Sequence, residues 1–164
     1  MNVLRRYAGF RWMWIGQLFS QLGNAVFLVF GLWEIQLRHP ILLSVAGLAM
    51  TVPSLLSLLG GVLVDRVDPR QLMLVTDAIR GVAVLVGLVL LVFNVSMTWV
   101  VITLIGIESL GSAVFYPAES AMVPQMVEAP HLVEANGLYS LTTQLSSAVG
   151  YALGGSALAA VGVA

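Results

Sequence analysis

The sequence predicts an all-α integral membrane protein, and three observations carry that reading. The chain of 164 residues is 59% hydrophobic and only 9% charged, whereas soluble domains are about a quarter charged. Its mean hydropathy is +0.98. Charges also cluster. Residues 40–64 and 81–107 hold none, while the stretch between them carries Asp65, Arg66, Asp68, Arg70, Asp77 and Arg80. A charged knot between two long apolar runs reads as a tight aqueous turn joining two membrane spans.

Five apolar runs follow one another, at about 12–33, 42–64, 71–93, 99–116 and 136–163. They are read as one membrane domain over residues 1–164. About 20 apolar residues span a bilayer as a helix. The runs are continuous rather than alternating, so they are helices and not barrel strands. The first run follows Arg5, Arg6 and Arg11 but is too long for a cleavable signal peptide, so it is a retained span. Arg38, His39 and Pro40 end it. Asn94 to Thr98 makes the turn between the third and fourth spans. Pro117 is expected to stop the fourth, leaving an amphipathic connection with Pro124 and Pro130 before the fifth. Arginine placement sets the orientation. Six of the seven basic residues fall on one side, with Arg38 opposite, so the positive-inside rule puts the N-terminus in the cytoplasm of a bacterial cell.

Composition excludes several classes. Net charge is −1 and lysine is absent, which argues against a nucleic-acid partner. No cysteine is present, so disulfides and thiol chemistry are ruled out. His39 and His131 lie far apart in predicted loops, and no metal cluster or cofactor is indicated. There is no Ser/His/Asp spacing, no P-loop and no GxGxxG. Nothing argues for an enzyme.

Polar residues within spans mark where function can live. Gln17, Ser20, Gln21 and Asn24 share one face of the first span, with Glu34 on its flank near the outer end. Ser140, Thr143, Gln144, Ser147 and Tyr151 form a second stripe in the fifth, with Gly150 and Gly154 beside it. Such stripes either glue helices together or line a watery, substrate-facing cavity. The cavity candidates are Gln17, Gln21, Asn24 and Gln144. Glu108 stands near the middle of the fourth span with no basic residue one turn away on its own helix. A bare carboxylate there costs several kcal/mol, so it is protonated, paired across the bundle or placed in a cavity. It is the candidate for carrying a proton or binding a cation. Asp77 and Arg80, at i and i+3, are read as a local ion pair at the cytoplasmic end of the third span.

The loop sequence GVLVDRVDPR over residues 61–70 resembles the signature G-x-x-x-D-R-x-G-R-R between helices two and three of the major facilitator superfamily. Gly61, Asp65, Arg66 and Arg70 are in place; Asp68 replaces a glycine and Pro69 an arginine. The D-R-x-D-x-R form looks like the branch of macrolide efflux and enterobactin export proteins. Phe10-Arg11 with Gly16-Gln17 and Ser20, Pro117-Ala118 with Pro124, and Ala135-Asn136-Gly137 point the same way. In the fifth span, Gly150, Gly154 and Gly155 resemble the antiporter signature G-x-x-x-G-P-x-x-G-G, with Tyr151 at the proline and Ser146 at the first glycine. The arginine that many proton antiporters carry in helix four has no counterpart; Glu108 is the charged residue of that span.

The resemblance implies a twelve-helix fold of two six-helix halves with substrate between them. These residues would form five helices of the N-terminal half, without the sixth. It implies a conformational latch in Gly61, Asp65, Arg66 and Arg70, acting against a helix of the C-terminal half. Gly150, Gly154 and Gly155 become packing glycines. The implied function is proton-driven export (antiport) of small amphipathic molecules such as drugs or siderophores, hence multidrug resistance. Alternating access needs both halves, so the 164 residues alone are not expected to transport. The rival expectation is a non-transporting fragment or subunit completed by a separate C-terminal half.

Overall fold

The computed structural model describes residues 3–57, 61, 64 and 66–160. Within them every regular element is helical. In chain order these are α1 (Val3–Arg6), α2 (Ala8–Arg38), a 3-10 turn (Pro40–Leu42), α3 (Leu43–Leu55), α4 (Pro69–Val92), α5 (Met97–Met126), a second 3-10 turn (Ala129–His131) and α6 (Leu132–Ala160). Three of the five predicted spans are helices long and apolar enough to cross a membrane: α2, α4 and α5. The second predicted span falls on α3 and partly outside the described residues. The fifth is α6, 29 residues long, in which Ser, Thr, Gln and Gly dilute the apolar character.

The largest departure from expectation is at Pro117. Instead of stopping the fourth span, it lies inside α5, which continues through Pro124 to Met126. A proline in a helix costs about 3 kcal/mol or more. Here Ala113, Phe115, Ala118 and Val123 on either side of the proline are all buried, and neighbouring helices can re-satisfy a freed carbonyl in a membrane protein. At about 1.5 Å per residue, its 30 residues reach about 45 Å. That exceeds the roughly 30 Å hydrocarbon layer, a length that a membrane helix accommodates by tilting or by extending beyond the layer.

The chain divides into two compact units, Met1–Phe30 with Val123–Ala164, and Gly31–Met122. In the first, Val3, Phe10, Val123, Val127 and Ala135 form a buried apolar cluster, joined by Tyr7, Trp14, Met126 and Tyr139. Arg6 pairs with Glu128 at 3.1 Å, and Tyr7 Oη lies 3.4 Å from His131 Nδ1. These contacts pin the N-terminal segment onto the turn before α6. Further along, α6 lies against α2 through small residues. Trp14 donates to Thr142 Oγ1 at 2.7 Å, and Gly150 and Gly154 meet Ala25 and Val29.

In the second unit α4 and α5 run antiparallel. Asp68 caps α4, its Oδ1 accepting from Arg70 N–H at 2.8 Å, and Pro69 opens the helix. Asp at the N-cap followed by Pro at the first helical position is the favoured start of a helix. The two positions that depart from the loop signature thus build the end of α4. Asn94 has φ 58° in the turn to α5, a left-handed conformation that Asn accepts more readily than most residues. Gly87 lets α5 approach, with Leu104 Cδ1 3.1 Å and Val100 Cγ1 3.2 Å from where a Cβ would stand. Gly31 of α2 does the same for Val101, at 2.8 Å.

Candidate functional site: an arginine and two carboxylates on two antiparallel helices

Arg80 is at the midpoint of the 24-residue α4, about 17 Å from either end by helix rise. Sequence reasoning placed the Asp77–Arg80 pair near the cytoplasmic end of the third span; along α4 it lies at mid-helix. The Arg80 side chain is 12% exposed and turns towards α5. There Nε stands 3.4 Å from Glu108 Oε2. One terminal nitrogen donates to Ser112 Oγ at 2.8 Å and lies 3.3 Å from the Glu108 carbonyl oxygen. The other is 3.6 Å from Asp77 Oδ1. The guanidinium carbon lies over the Phe115 ring at 5.2 Å from its centroid. Glu108, Ser112 and Phe115 share a face of α5 because they are spaced i, i+4 and i+7.

Two expectations therefore merge. Glu108 is paired across helices, and its partner is the arginine that sequence reasoning had assigned to Asp77 alone. An ionisable residue at the centre of a span costs about 2.5–3.5 kcal/mol; facing charges on adjacent helices offset that cost. Two carboxylates and one guanidinium leave one net negative charge when both acids are ionised. Phe115 supplies a cation–π face for the arginine.

The other expected residues scatter. Gln17 and Gln21 are buried, each 8% exposed, and Asn24 is half-buried. Gln144 is exposed; the buried face of α6 is Ala135, Thr142, Ser146, Gly150 and Gly154, so Gln144 lies off the packed side. Among the proposed packing glycines, Gly150 and Gly154 are at the α2–α6 contact. A Cβ on Gly155 would meet nothing within 4 Å among the described residues, because Gly155 lies one position off that four-residue repeat. In the latch loop Arg66 and Arg70 are exposed and Gly61 is half-buried, while Asp65 lies outside the described residues. Glu34 is buried and paired with Arg38.

One residue was missed. Glu119, expected in an extramembrane connection, is 4% exposed on the same face of α5 as Glu108, eleven residues on. The i, i+4, i+7, i+11 pattern Glu108, Ser112, Phe115, Glu119 was there to be read once Pro117 is allowed inside the helix.

Apolar helices of membrane-crossing length, with an ion pair held between two of them, define a polytopic membrane protein. The family model described as "Transmembrane secretion effector" matches residues 4–164, and the chain belongs to this family of the major facilitator superfamily, whose members are transporters rather than enzymes. It is 26% identical over 165 aligned positions to the "Uncharacterized MFS-type transporter YfiS" of Bacillus subtilis (strain 168), covering 98% of this chain and 38% of that protein. The chain thus spans well under half the length of this relative. No solved structure matches it.

Proposed function

We propose that this chain is the N-terminal part of a proton-coupled exporter of small amphipathic molecules such as drugs or siderophores, akin to the macrolide and enterobactin exporters. It would sit in the bacterial cytoplasmic membrane with its N-terminus in the cytoplasm. The observation that carries the coupling is the Arg80–Glu108 pair between α4 and α5. An acid facing an arginine in a low-dielectric interior can exchange a proton for its ion pair, and that exchange can be linked to a change of conformation. In this reading Glu108 carries the proton, Arg80 is its counter-charge and Asp77 the second acid. Gln17, Gln21 and Asn24 face the substrate path. Gly61, Asp65, Arg66 and Arg70 latch against the C-terminal half.

Export by the transporter that carries this chain as its N-terminal part tests the reading. Asp65→Ala should cripple efflux of a dye substrate from cells while leaving the amount of membrane-inserted protein unchanged. Undiminished efflux would remove the latch assignment. The same transporter should acidify its own compartment on substrate addition; transport without any proton movement would remove the coupling.

A further inference from the structure

The geometry points to Arg80 as a fixed counter-charge, seated on α5 whether or not Glu108 carries a proton, with Gly111 as the positioning residue that makes the seat. This rests on the reading of Glu108 as the coupling acid.

The contacts of the guanidinium rank in an instructive order. Its shortest is to a neutral group, the Ser112 hydroxyl at 2.8 Å. The carboxylates stand further away, Glu108 at 3.4 Å and Asp77 at 3.6 Å. Only the first lies within the usual hydrogen-bond range. The Phe115 face, 5.2 Å from the guanidinium carbon, attracts a cation through its ring quadrupole. The Glu108 main-chain oxygen, at 3.3 Å, is also indifferent to that residue's proton. Among the described residues, Asp77 and Glu108 are the charged side chains within ion-pair reach of Arg80. Neutralising Glu108 therefore removes one attraction and leaves the hydroxyl, the carbonyl and the ring in place.

Gly111 makes room for this arrangement. A Cβ there would fall on Arg80 Nε and stand 3.1 Å from Arg80 Cζ and 3.1 Å from Thr76 Cγ2. The guanidinium fills the volume that any side chain at 111 would occupy. The far end of an arginine is flexible, so a methyl at 111 evicts Arg80 rather than moving the helices. The consequence is mechanistic. The arginine does not swing, and the charge balance of the site follows one proton on Glu108.

The test uses the purified chain in lipid nanodiscs with 15N-labelled arginine. The Arg80 Nη–H signals, from the nitrogen that reaches Ser112 and the Glu108 carbonyl, are assigned by their loss in Arg80→Lys, and their exchange with solvent is followed by NMR. Wild type and Glu108→Gln should exchange equally slowly. Gly111→Ala should exchange about tenfold faster, the protection that roughly one lost hydrogen bond removes, and Ser112→Ala should move the same way. Gly106→Ala is the control, since among the described residues its methyl meets only Ala49 Cβ, at 3.8 Å, and it should match wild type. Release of Arg80 in Glu108→Gln to the extent seen in Gly111→Ala would overturn the fixed seat. Unchanged exchange in Gly111→Ala would remove Gly111 from it. Should Gly111→Ala fail to insert, Ser112→Ala decides alone. Infrared titration of the Glu108 carboxyl in the same samples separates the two ideas. A Glu108 that never takes a proton would sink the coupling reading and leave the seat standing.

Discussion

Gly150 lies against Ala25 so closely that a methyl group added to the glycine would collide with the alanine Cβ, and would stand 3.2 Å from the carbonyl oxygen of Leu22. One turn on, Gly154 has the same relation to Val29, with Cβ and Cγ1 both 2.9 Å away. In lipid, close backbone approach of this kind replaces the hydrophobic effect as the source of helix association.

Gly150→Ala is therefore expected to destabilise the chain by about 1–3 kcal/mol through overpacking against backbone. Gly155→Ala, whose methyl meets nothing within 4 Å among the described residues, should be neutral or stabilising by up to about 1 kcal/mol. Thermal unfolding of the purified chain in one detergent compares them, and equal effects would argue against the α2–α6 contact.

Trp14 and Thr142 tie the same helices. Trp14→Phe keeps the ring and removes the donor, leaving Thr142 bonded to the Leu138 carbonyl at 2.7 Å. The expected loss is about 0.5–1.5 kcal/mol. The same unfolding assay measures it, and no change would mean that the bond does not contribute to holding α2 on α6.

The cap of α4 makes a prediction at the loop signature. Asp68→Ala should cost about 0.5–2 kcal/mol, whereas Asp68→Asn should cost little, because either side chain can accept from the Arg70 N–H. If both variants melt alike and well below wild type, the carboxylate has a role beyond capping.

At the N-terminal segment, burial and surface charge separate cleanly. Phe10 is fully buried, and Phe10→Ala should cost about 3–5 kcal/mol. Arg6 and Glu128 expose 55% and 60% of their side chains, so Arg6→Ala should cost less than about 1 kcal/mol. Limited proteolysis near residue 128 would report both, the first variant being cut faster and the second much as wild type.

How much of this was legible in the sequence varies with the range of the interaction. Charge-free runs announced α4 and the first part of α5 directly. Asn94 announced the turn between them. Pro117 misled because its local cost was visible and the packing of Phe115, Ala118 and Val123 that offsets it was not. The Arg80–Glu108 pair joins residues 28 apart in the chain, and a search one turn either side of Glu108 sees only its own helix. Gln144 was chosen by its polarity. The face of α6 that packs is instead set by the four-residue repeat of Ser146, Gly150 and Gly154, a packing signal that polarity hides.

The central claim is that Glu108, opposite Arg80, couples transport to protons. It is tested by reconstituting the transporter that carries this chain, as wild type and as Glu108→Gln, and measuring two fluxes of one substrate: accumulation driven by a pH gradient, and exchange of labelled for unlabelled substrate with no gradient. The account predicts that Glu108→Gln abolishes driven accumulation and keeps exchange. Driven accumulation at the wild-type level would contradict it, and equal loss of both fluxes would reduce Glu108 to a residue that holds the helices together.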